Sequence, residues 1–278
     1  MLKPDLSPPH PLELAPALPR RRAARLRLPS LRRAGLATLV FLVVLAFLQW
    51  GVPALGIPRF VLPTPSDVWR SAINPEHRLP SHFAITATEA VSGLLLGSLA
   101  AFLVAVLFVH LPPLEDALYP WVIVFQTVPL VAIAPLLVIW FGNGLAPRIA
   151  MAAIFAFFPM LVNTLRGLRH TSRESLELLQ SYAANAWQLF WMLRLPGSLP
   201  FVFTGLKIAS TLAVIGAIVG EYAGASQGLG FVVTVSTYYL DTSRTFAAVA
   251  YASLLGIGLY VTLVLLERWL VFWQSPLD

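Results

Sequence analysis

Long apolar stretches separated by short polar ones make up most of this chain. Charged side chains are absent from residues 34–58, 117–147, 149–165 and 245–266, which are runs of 25, 31, 17 and 22 residues. A helix needs about 20 apolar residues to cross the hydrocarbon core of a bilayer. The pattern therefore predicts an all-α membrane protein of about six transmembrane helices, near 34–51, 84–109, 118–141, 147–166, 203–224 and 245–272.

Composition strengthens this interpretation. Of the 278 residues, 58% are hydrophobic and 12% are charged, whereas a soluble domain carries roughly 25% charged residues. The chain contains no cysteine, which excludes disulfides, thiolate metal sites and cysteine nucleophiles.

Positive charge is concentrated in residues 1–33, which hold Lys3 and seven arginines. Their proline and arginine content predicts a disordered cytoplasmic tail, followed by a transmembrane domain over 34–278. Beside an apolar helix, this tail indicates a topology signal and contact with anionic lipids rather than nucleic-acid binding. A cleaved signal peptide is the alternative, but no small-residue cleavage site follows Trp50.

The distribution of lysine and arginine predicts the orientation. With the amino terminus inside, 14 of the 19 basic residues fall on the cytoplasmic side, as the positive-inside rule requires. Both termini are then cytoplasmic. Residues 110–117 are also inside although they include Glu115 and Asp116, because acidic residues contribute little to orientation.

The longest predicted internal loop covers residues 167–202. Thr171 and Glu174 have the spacing of a capping box, with Thr171 as the N-cap. This spacing predicts a first helix in the loop that ends near Tyr182.

A second helix is predicted in the same loop. The small residues at 183–186 allow a turn, the helix follows at 187–193, and Pro196 and Pro200 end it. Apolar helices in a loop that faces water need a partner, which is either the bilayer surface or another protein.

The 167–202 loop resembles the cytoplasmic EAA loop of binding-protein-dependent ABC importer permeases. The family pattern is Glu-Ala-Ala, three residues, Gly, nine residues, an apolar residue, any residue and Leu-Pro. The corresponding residues here are Glu177-Leu178-Leu179, Ala183, Leu193, Arg194 and Leu195-Pro196. The glutamate and Leu-Pro match, whereas the two alanines and the glycine are replaced.

The resemblance implies that this loop docks on an ATPase subunit. The residues that it assigns to docking are Glu177, Ala183, Trp187, Phe190, Leu193, Leu195 and Pro196. If the family glycine serves a turn with positive φ, an alanine tolerates that turn less well, so Asn185 is a second candidate for it. An amphipathic loop on the bilayer surface is the alternative interpretation.

Further motifs resemble the nitrate, sulfonate, taurine and pyrimidine-precursor branch of this family. They are Leu-Pro-Thr-Pro-Ser-Asp-Val-Trp at 62–69, Gln-Thr-Val-Pro at 126–129, Ala-Pro-Leu at 134–136, Trp-Phe-Gly at 140–142, Gly220-Glu221 and Gly-Leu-Gly at 228–230. The resemblance covers residues 58–272. It implies the helical bundle of a type I importer permease, located in the bacterial inner membrane.

Three prolines, Pro129, Pro135 and Pro159, lie inside predicted spans, where each removes a backbone hydrogen bond. Such breaks persist where neighbouring groups or a water-lined cavity satisfy the freed carbonyls. Gln126, Thr127 and Pro129 therefore either line a translocation path or form a packing kink.

Glu221 follows Gly216 and Gly220, a small-residue stripe suited to close helix packing. It either shapes an external gate or caps a neighbouring helix, and the structural role is favoured. Glu89 is expected in water at the membrane interface.

The sequence has no phosphate-binding loop motif, so ATP binding and hydrolysis are expected on a partner and not on this chain. The resemblance implies two ATPase subunits that bind ATP and magnesium, a second permease copy, and a periplasmic or lipid-anchored solute-binding protein. No metal or other cofactor is expected in the chain itself. An ion-coupled carrier would need more ionisable residues at membrane depth, and a membrane enzyme would need clustered catalytic side chains.

Two short sequence motifs favour one class of substrate. Phe-Phe-Pro at 157–159 and Tyr-Tyr-Leu-Asp-Thr at 238–242 resemble the permeases for pyrimidine thiamine precursors and riboflavin. Sulfonate, taurine or nitrate is the alternative.

Overall fold

The computed structural model describes residues 31–272, whose regular structure is entirely helical. The helices are α1 (Leu31–Ala46), α2 (Pro65–Ile73), α3 (Leu79–His110), α4 (Pro112–Gln126), α5 (Ala134–Phe141), α6 (Leu145–Arg169), α7 (Arg173–Ser181), α8 (Ala186–Leu189), α9 (Leu195–Tyr222), α10 (Leu229–Tyr238) and α11 (Thr242–Leu270). Shorter pieces are the π-helical segments Phe47–Gly51 and Phe190–Arg194, the helical turn Val52–Ala54, and the 3₁₀ helices Pro75–His77 and Leu130–Ile133. The predicted all-α class is confirmed.

The chain divides into two units after Ala46, so that α1 belongs to one unit and the remaining helices form the other. The predicted tail, residues 1–33, lies outside the described residues except for its last three positions, which begin α1.

Within residues 31–272, four helical stretches are long and apolar enough to cross a membrane: Pro75–His110, Leu145–Arg169, Ala186–Tyr222 and Thr242–Leu270. They correspond to the predicted second, fourth, fifth and sixth spans. The predicted third span, 118–141, is not one straight helix, because Pro112–Gln126 and Leu130–Phe141 meet at 91°. The predicted first span falls on a shorter apolar helical segment, Thr38–Ala54.

Helix α6 is the centre of the second unit and packs along both α3 and α9. Small residues allow these close approaches. A Cβ atom on Gly93 of α3 would lie 2.8 Å from the carbonyl oxygen of Ile149, and one on Gly216 of α9 would lie 2.8 Å from the Cα of Ala152. The predicted small-residue stripe in α9 therefore packs closely against its neighbour.

Two ion pairs join helices near the end of the unit where the 167–202 loop lies. Buried Glu115, at the start of α4, pairs with Arg169 at the end of α6. Lys207 of α9 pairs with Glu267 of α11 at 2.9 Å. Residues 110–117 thus lie at the same end as the 167–202 loop, as the predicted orientation requires.

Helix α2 begins in a capping box at Thr64. The Thr64 hydroxyl accepts from the Asp67 N–H, and the Asp67 carboxylate accepts from the Thr64 backbone. The same hydroxyl also donates to the Asp67 carboxylate at 2.8 Å. This hydrogen bond stabilises the charged form and lowers the pKa of Asp67 below its usual value.

Candidate functional site

The first helix of the 167–202 loop, α7, has a different N-cap from the predicted one. Ser172 has extended backbone dihedrals, and its hydroxyl accepts from the Ser175 N–H at 3.3 Å. The predicted capping box of Thr171 and Glu174 is therefore wrong, because the third residue after Ser172 is Ser175. One turn further on, exposed Glu177 pairs with Arg173 at 2.8 Å.

A Schellman turn at Ala183 ends α7. The N–H of Ala183 donates to the Gln180 carbonyl at 2.9 Å, and the N–H of Ala184 donates to the Leu179 carbonyl at 3.1 Å. This pair of bonds requires a left-handed residue between them, and Ala183 adopts φ = 56°. Asn185, the alternative for this conformation, has φ = −78°.

Replacing Ala183 with glycine should stabilise this turn by about 0.5–1 kcal/mol, because glycine avoids the contact between Cβ and the following carbonyl oxygen. Slower hydrogen exchange at the amides of Ala183 and Ala184 would measure the gain. Ala184→Gly is the matched control, since the residue after the left-handed position does not need positive φ; equal protection in the two variants would contradict the prediction.

Asn185 begins the second loop helix instead. Its side chain accepts from the Gln188 N–H at 2.8 Å, and its own N–H donates to the Gln188 side chain at 2.9 Å, which completes a capping box. Helix α8 then passes through the π-helical turn Phe190–Arg194 directly into α9.

Pro196 and Pro200 do not end the second helix, so that prediction is corrected. Pro196 lies in the first turn of α9 and Pro200 within it, and the whole stretch Ala186–Tyr222 is one helix of 37 residues. The wider π turn just before Pro196 accommodates a residue that cannot donate a backbone hydrogen bond. At 1.5 Å per residue, this helix is about 55 Å long and exceeds the roughly 30 Å of a hydrocarbon core.

Five large apolar side chains of the loop are exposed. They form what we call the loop patch: Leu178, Tyr182, Trp187, Trp191 and Met192, each 50–77% exposed. Leu178 and Tyr182 lie beside polar residues of α7 in the sequence, including the Arg173–Glu177 pair. Exposed apolar groups of this size in a loop between membrane-spanning helices are typical of a protein contact.

Phe190 was predicted to take part in docking, but it is only 3% exposed. Its ring lies 5.1 Å from that of His110 and 6.1 Å from that of Trp187, and it packs in the core with Phe108 and Leu168. Phe190 therefore anchors the loop to the bundle, and its assignment as a contact residue is corrected. The loop residues Leu193, Leu195 and Pro196 are half-buried.

The predicted path residues Gln126, Thr127 and Pro129 are exposed and lie at the 91° bend between α4 and the next 3₁₀ helix. The Thr127 hydroxyl donates to the Val124 carbonyl at 2.7 Å and satisfies part of the broken helix end. Pro135 lies in the first turn of α5, where a proline is tolerated. It therefore does not interrupt a helix, in contrast to Pro159 within α6.

At the opposite end of the unit from the loop, Glu221 caps helix α10. Its carboxylate accepts from the Gly230 N–H and from the Thr86 hydroxyl, the latter at 2.6 Å. The Thr86 hydroxyl accepts from the Leu229 N–H at 2.8 Å, and His82 accepts from the Gly228 N–H at 3.0 Å. Three consecutive backbone donors of the α10 N-terminus are thus satisfied by side chains of α3 and α9.

Glu89 does not lie in water at the interface, so that expectation is wrong. It is fully buried on α3 and accepts from Arg148 of α6 at 3.1 Å. Glu221 interacts with both Glu89 and Arg148, and we call Glu89, Arg148 and Glu221 the acidic cluster. The sequence analysis did not single out Arg148; its position in the first turn of an apolar helix was the available signal.

Within residues 31–272, no three His, Asp or Glu side chains form a group that would hold a metal ion. The candidate functional features among the described residues are therefore the exposed loop patch, the bend at residues 126–129 and the acidic cluster.

Residues 93–274 match the family described as the binding-protein-dependent transport system inner membrane component. The match covers more than half of the chain. This protein belongs to that family. It is therefore a multi-pass membrane permease, a transport component that works with an ATPase and a solute-binding protein, and the predicted family and importer function are confirmed.

The permease is similar over most of its length to named relatives. It is 36% identical over 238 residues to a riboflavin transport system permease protein of Chloroflexus aurantiacus, covering 84% of this chain and 88% of the relative. It is 35% identical over 239 residues to a formylaminopyrimidine transport permease protein of Halalkalibacterium halodurans, covering 86% and 95%. A putative aliphatic sulfonates permease of Bacillus subtilis is 28% identical over 272 residues, covering 96% and 98%.

Proposed function

We propose that two copies of this permease form the path of an importer for uncharged heteroaromatic solutes of the pyrimidine or flavin type. Two ATPase subunits bind the 167–202 loops and supply ATP and magnesium, and an external solute-binding protein delivers the solute to the opposite face. Both termini are then cytoplasmic. The solute class is supported by greater similarity to the riboflavin and formylaminopyrimidine relatives than to the sulfonate relative.

The observation that carries the coupling mechanism is the continuity of the loop with a membrane helix. Trp187, Trp191 and Met192 of the loop patch lie on the same 37-residue helix, Ala186–Tyr222, that ends beside Glu221. A stiff helix transmits a displacement along its length, so a movement of a docked ATPase is passed to the membrane-spanning part as a rigid-body shift.

In this mechanism the displacement of the helix reaches the acidic cluster. Glu221 lies one residue before the end of α9 and holds the N-terminus of α10. A shift of α9 would displace this cap and the contacts of Thr86. Helix α10 would then open or close the external side of the translocation path. In this mechanism Glu221 positions a gate, and Gln126, Thr127 and Pro129 at the bend line the path.

Affinity purification of the permease from its native membrane, followed by mass spectrometry, tests the proposal. We expect an ATPase and a solute-binding protein in the eluate, and the binding protein should bind riboflavin or formylaminopyrimidine when screened. A binding protein selective for taurine or a sulfonate would move the substrate assignment to that branch. Recovery of the permease alone in good yield would contradict the importer assembly and favour an ion-coupled carrier.

Disrupting the loop patch should uncouple the ATPase. We expect Tyr182→Asp to reduce ATPase recovery at least about tenfold, because an aspartate in an apolar protein contact is desolvated without a partner. Quantitative mass spectrometry of the eluate measures the loss.

Ile73→Asp is the matched control, since Ile73 is 60% exposed on α2, outside the loop. It should leave ATPase recovery unchanged. Equal recovery with both variants would place the ATPase contact elsewhere.

A further inference from the structure

A cavity of about 470 Å³ lies between α9, α10 and α11. Its volume falls within the range of about 300–1,000 Å³ that small-molecule sites occupy. The wall is largely apolar, with Val214, Ile218, Leu229 and Val233 among its members, and none of the residues that line it is charged.

Four residues of the wall carry hydroxyl groups, and among the described residues only the Ser253 hydroxyl has a partner, the Val249 carbonyl at 2.9 Å. Thr211, Tyr222 and Tyr260 line the cavity, and their hydroxyls form no hydrogen bond to any part of the chain that the structure describes. A hydroxyl placed against acyl chains without a partner costs free energy. A bound molecule with hydrogen-bonding groups removes that cost. A lipid tail has no such groups and does not remove it.

The cavity also extends along α9. Thr211 and Tyr222 are both on α9, 11 residues apart, which is about 16 Å along a helix. Tyr222 is the last residue of α9, beside the acidic cluster, while Thr211 lies near the middle of that helix. The cavity therefore extends from the end opposite the loop to about the middle of the span.

We infer that this cavity is a solute site, which holds a neutral, planar heteroaromatic molecule on its way through the permease. This inference rests on the proposed function and deepens it. Tyrosine rings offer faces for stacking on a planar ring, and the three free hydroxyls supply hydrogen bonds to ring nitrogens and carbonyls. An anionic sulfonate would meet no positive charge in the wall and would lose its hydration.

A glycine pair on α11 offers a matched test. Gly256 lines the cavity and Gly258 does not, and an added Cβ would meet nothing within 4 Å at either position. Tryptophan at Gly256 should fill the cavity, while tryptophan at Gly258 makes the same chemical change on the same helix outside it. Both variants are purified as full complexes, reconstituted in liposomes, and assayed for uptake of labelled riboflavin, formylaminopyrimidine and taurine.

We expect Gly256→Trp to reduce uptake of the heteroaromatic solute at least about tenfold, and Gly258→Trp to leave it within about twofold of the parent. ATPase content and basal ATP hydrolysis should be unchanged in both. Tyr260→Phe should raise the KM for uptake about threefold to tenfold with little change in kcat, since it removes one hydrogen bond to the bound solute.

Several outcomes would overturn the inference. Uptake by Gly256→Trp within twofold of the parent would mean that the cavity faces lipid, and loss of the second permease copy in that variant would mean that a protein surface covers it. Equal losses in both tryptophan variants, or taurine as the preferred solute of the parent, would also contradict it. If the parent itself retains no ATPase, the proposed function fails. If the parent assembles and transports while Gly256→Trp and Gly258→Trp have equal uptake, only the cavity assignment fails.

Discussion

Arg148→Met should destabilise the permease by about 3–5 kcal/mol, because it leaves a buried carboxylate without its cation. Glu89 is fully buried and has the Arg148 guanidinium at 3.1 Å as its partner, and Glu221, also buried, lies in the same cluster. Methionine keeps the length and apolar stem of arginine but removes the charge. The loss should appear as a large decrease in thermal unfolding temperature in detergent, or as failure to accumulate in the membrane.

Two variants serve as controls for this prediction. Arg173→Met breaks the exposed Arg173–Glu177 pair on α7 and should change stability by less than about 1 kcal/mol. The double variant Glu89→Leu with Arg148→Met removes both charges together and should recover much of the loss, because no unpaired carboxylate remains at position 89. Equal unfolding temperatures for Arg148→Met and the parent would show that the buried pair does not stabilise the fold.

The same pair shows where prediction from the sequence fails. Glu89 and Arg148 are separated by 59 positions, and each was interpreted from its own apolar segment. Glu89 lies near the start of one predicted span and was expected in water at the interface, whereas Arg148 lies near the start of another span and was not singled out. Only the packing of α3 against α6, which periodicity within one helix does not specify, brings the two side chains together and buries them.

The positions of most spans could be predicted, because about 20 consecutive apolar residues have few alternatives to a membrane helix. The third span was harder. Its apolar run is continuous through Pro129, and composition does not distinguish a mild kink from the observed 91° bend. The sequence indicated a break at this proline, but the angle depends on which neighbouring groups satisfy the freed backbone atoms.

The loop was predicted in outline and corrected in detail. Its two short helices and the turn between them are present, and the turn lies at Ala183, the position of the family glycine. The continuation of the second loop helix through Pro196 could not be predicted, since a proline normally ends a helix. The π turn that precedes this proline has no recognisable residue pattern. Burial of Phe190 beside exposed Trp187 depends on contacts with His110 of α3, again a tertiary effect.

The rigid connection between the loop and the acidic cluster depends on the close packing of α9 against α6. Among the glycines of α9, Gly216 makes the closest approach to α6. A Cβ atom there would lie 2.8 Å from the Cα of Ala152 and 2.9 Å from the Met151 carbonyl oxygen. Both are backbone atoms, so no side-chain rotation relieves the contact.

We therefore expect Gly216→Leu to destabilise the bundle by about 3 kcal/mol or more and to abolish recovery of folded permease in size-exclusion chromatography. Gly197→Leu is the matched control on the same helix, because an added Cβ at Gly197 meets nothing within 4 Å; it should be recovered at the parent level. If Gly216→Leu is recovered equally well, α9 and α6 separate at little cost. The helix would then not transmit movement from the loop patch to the cap of α10 as a rigid body, and the coupling mechanism proposed above would fail with it.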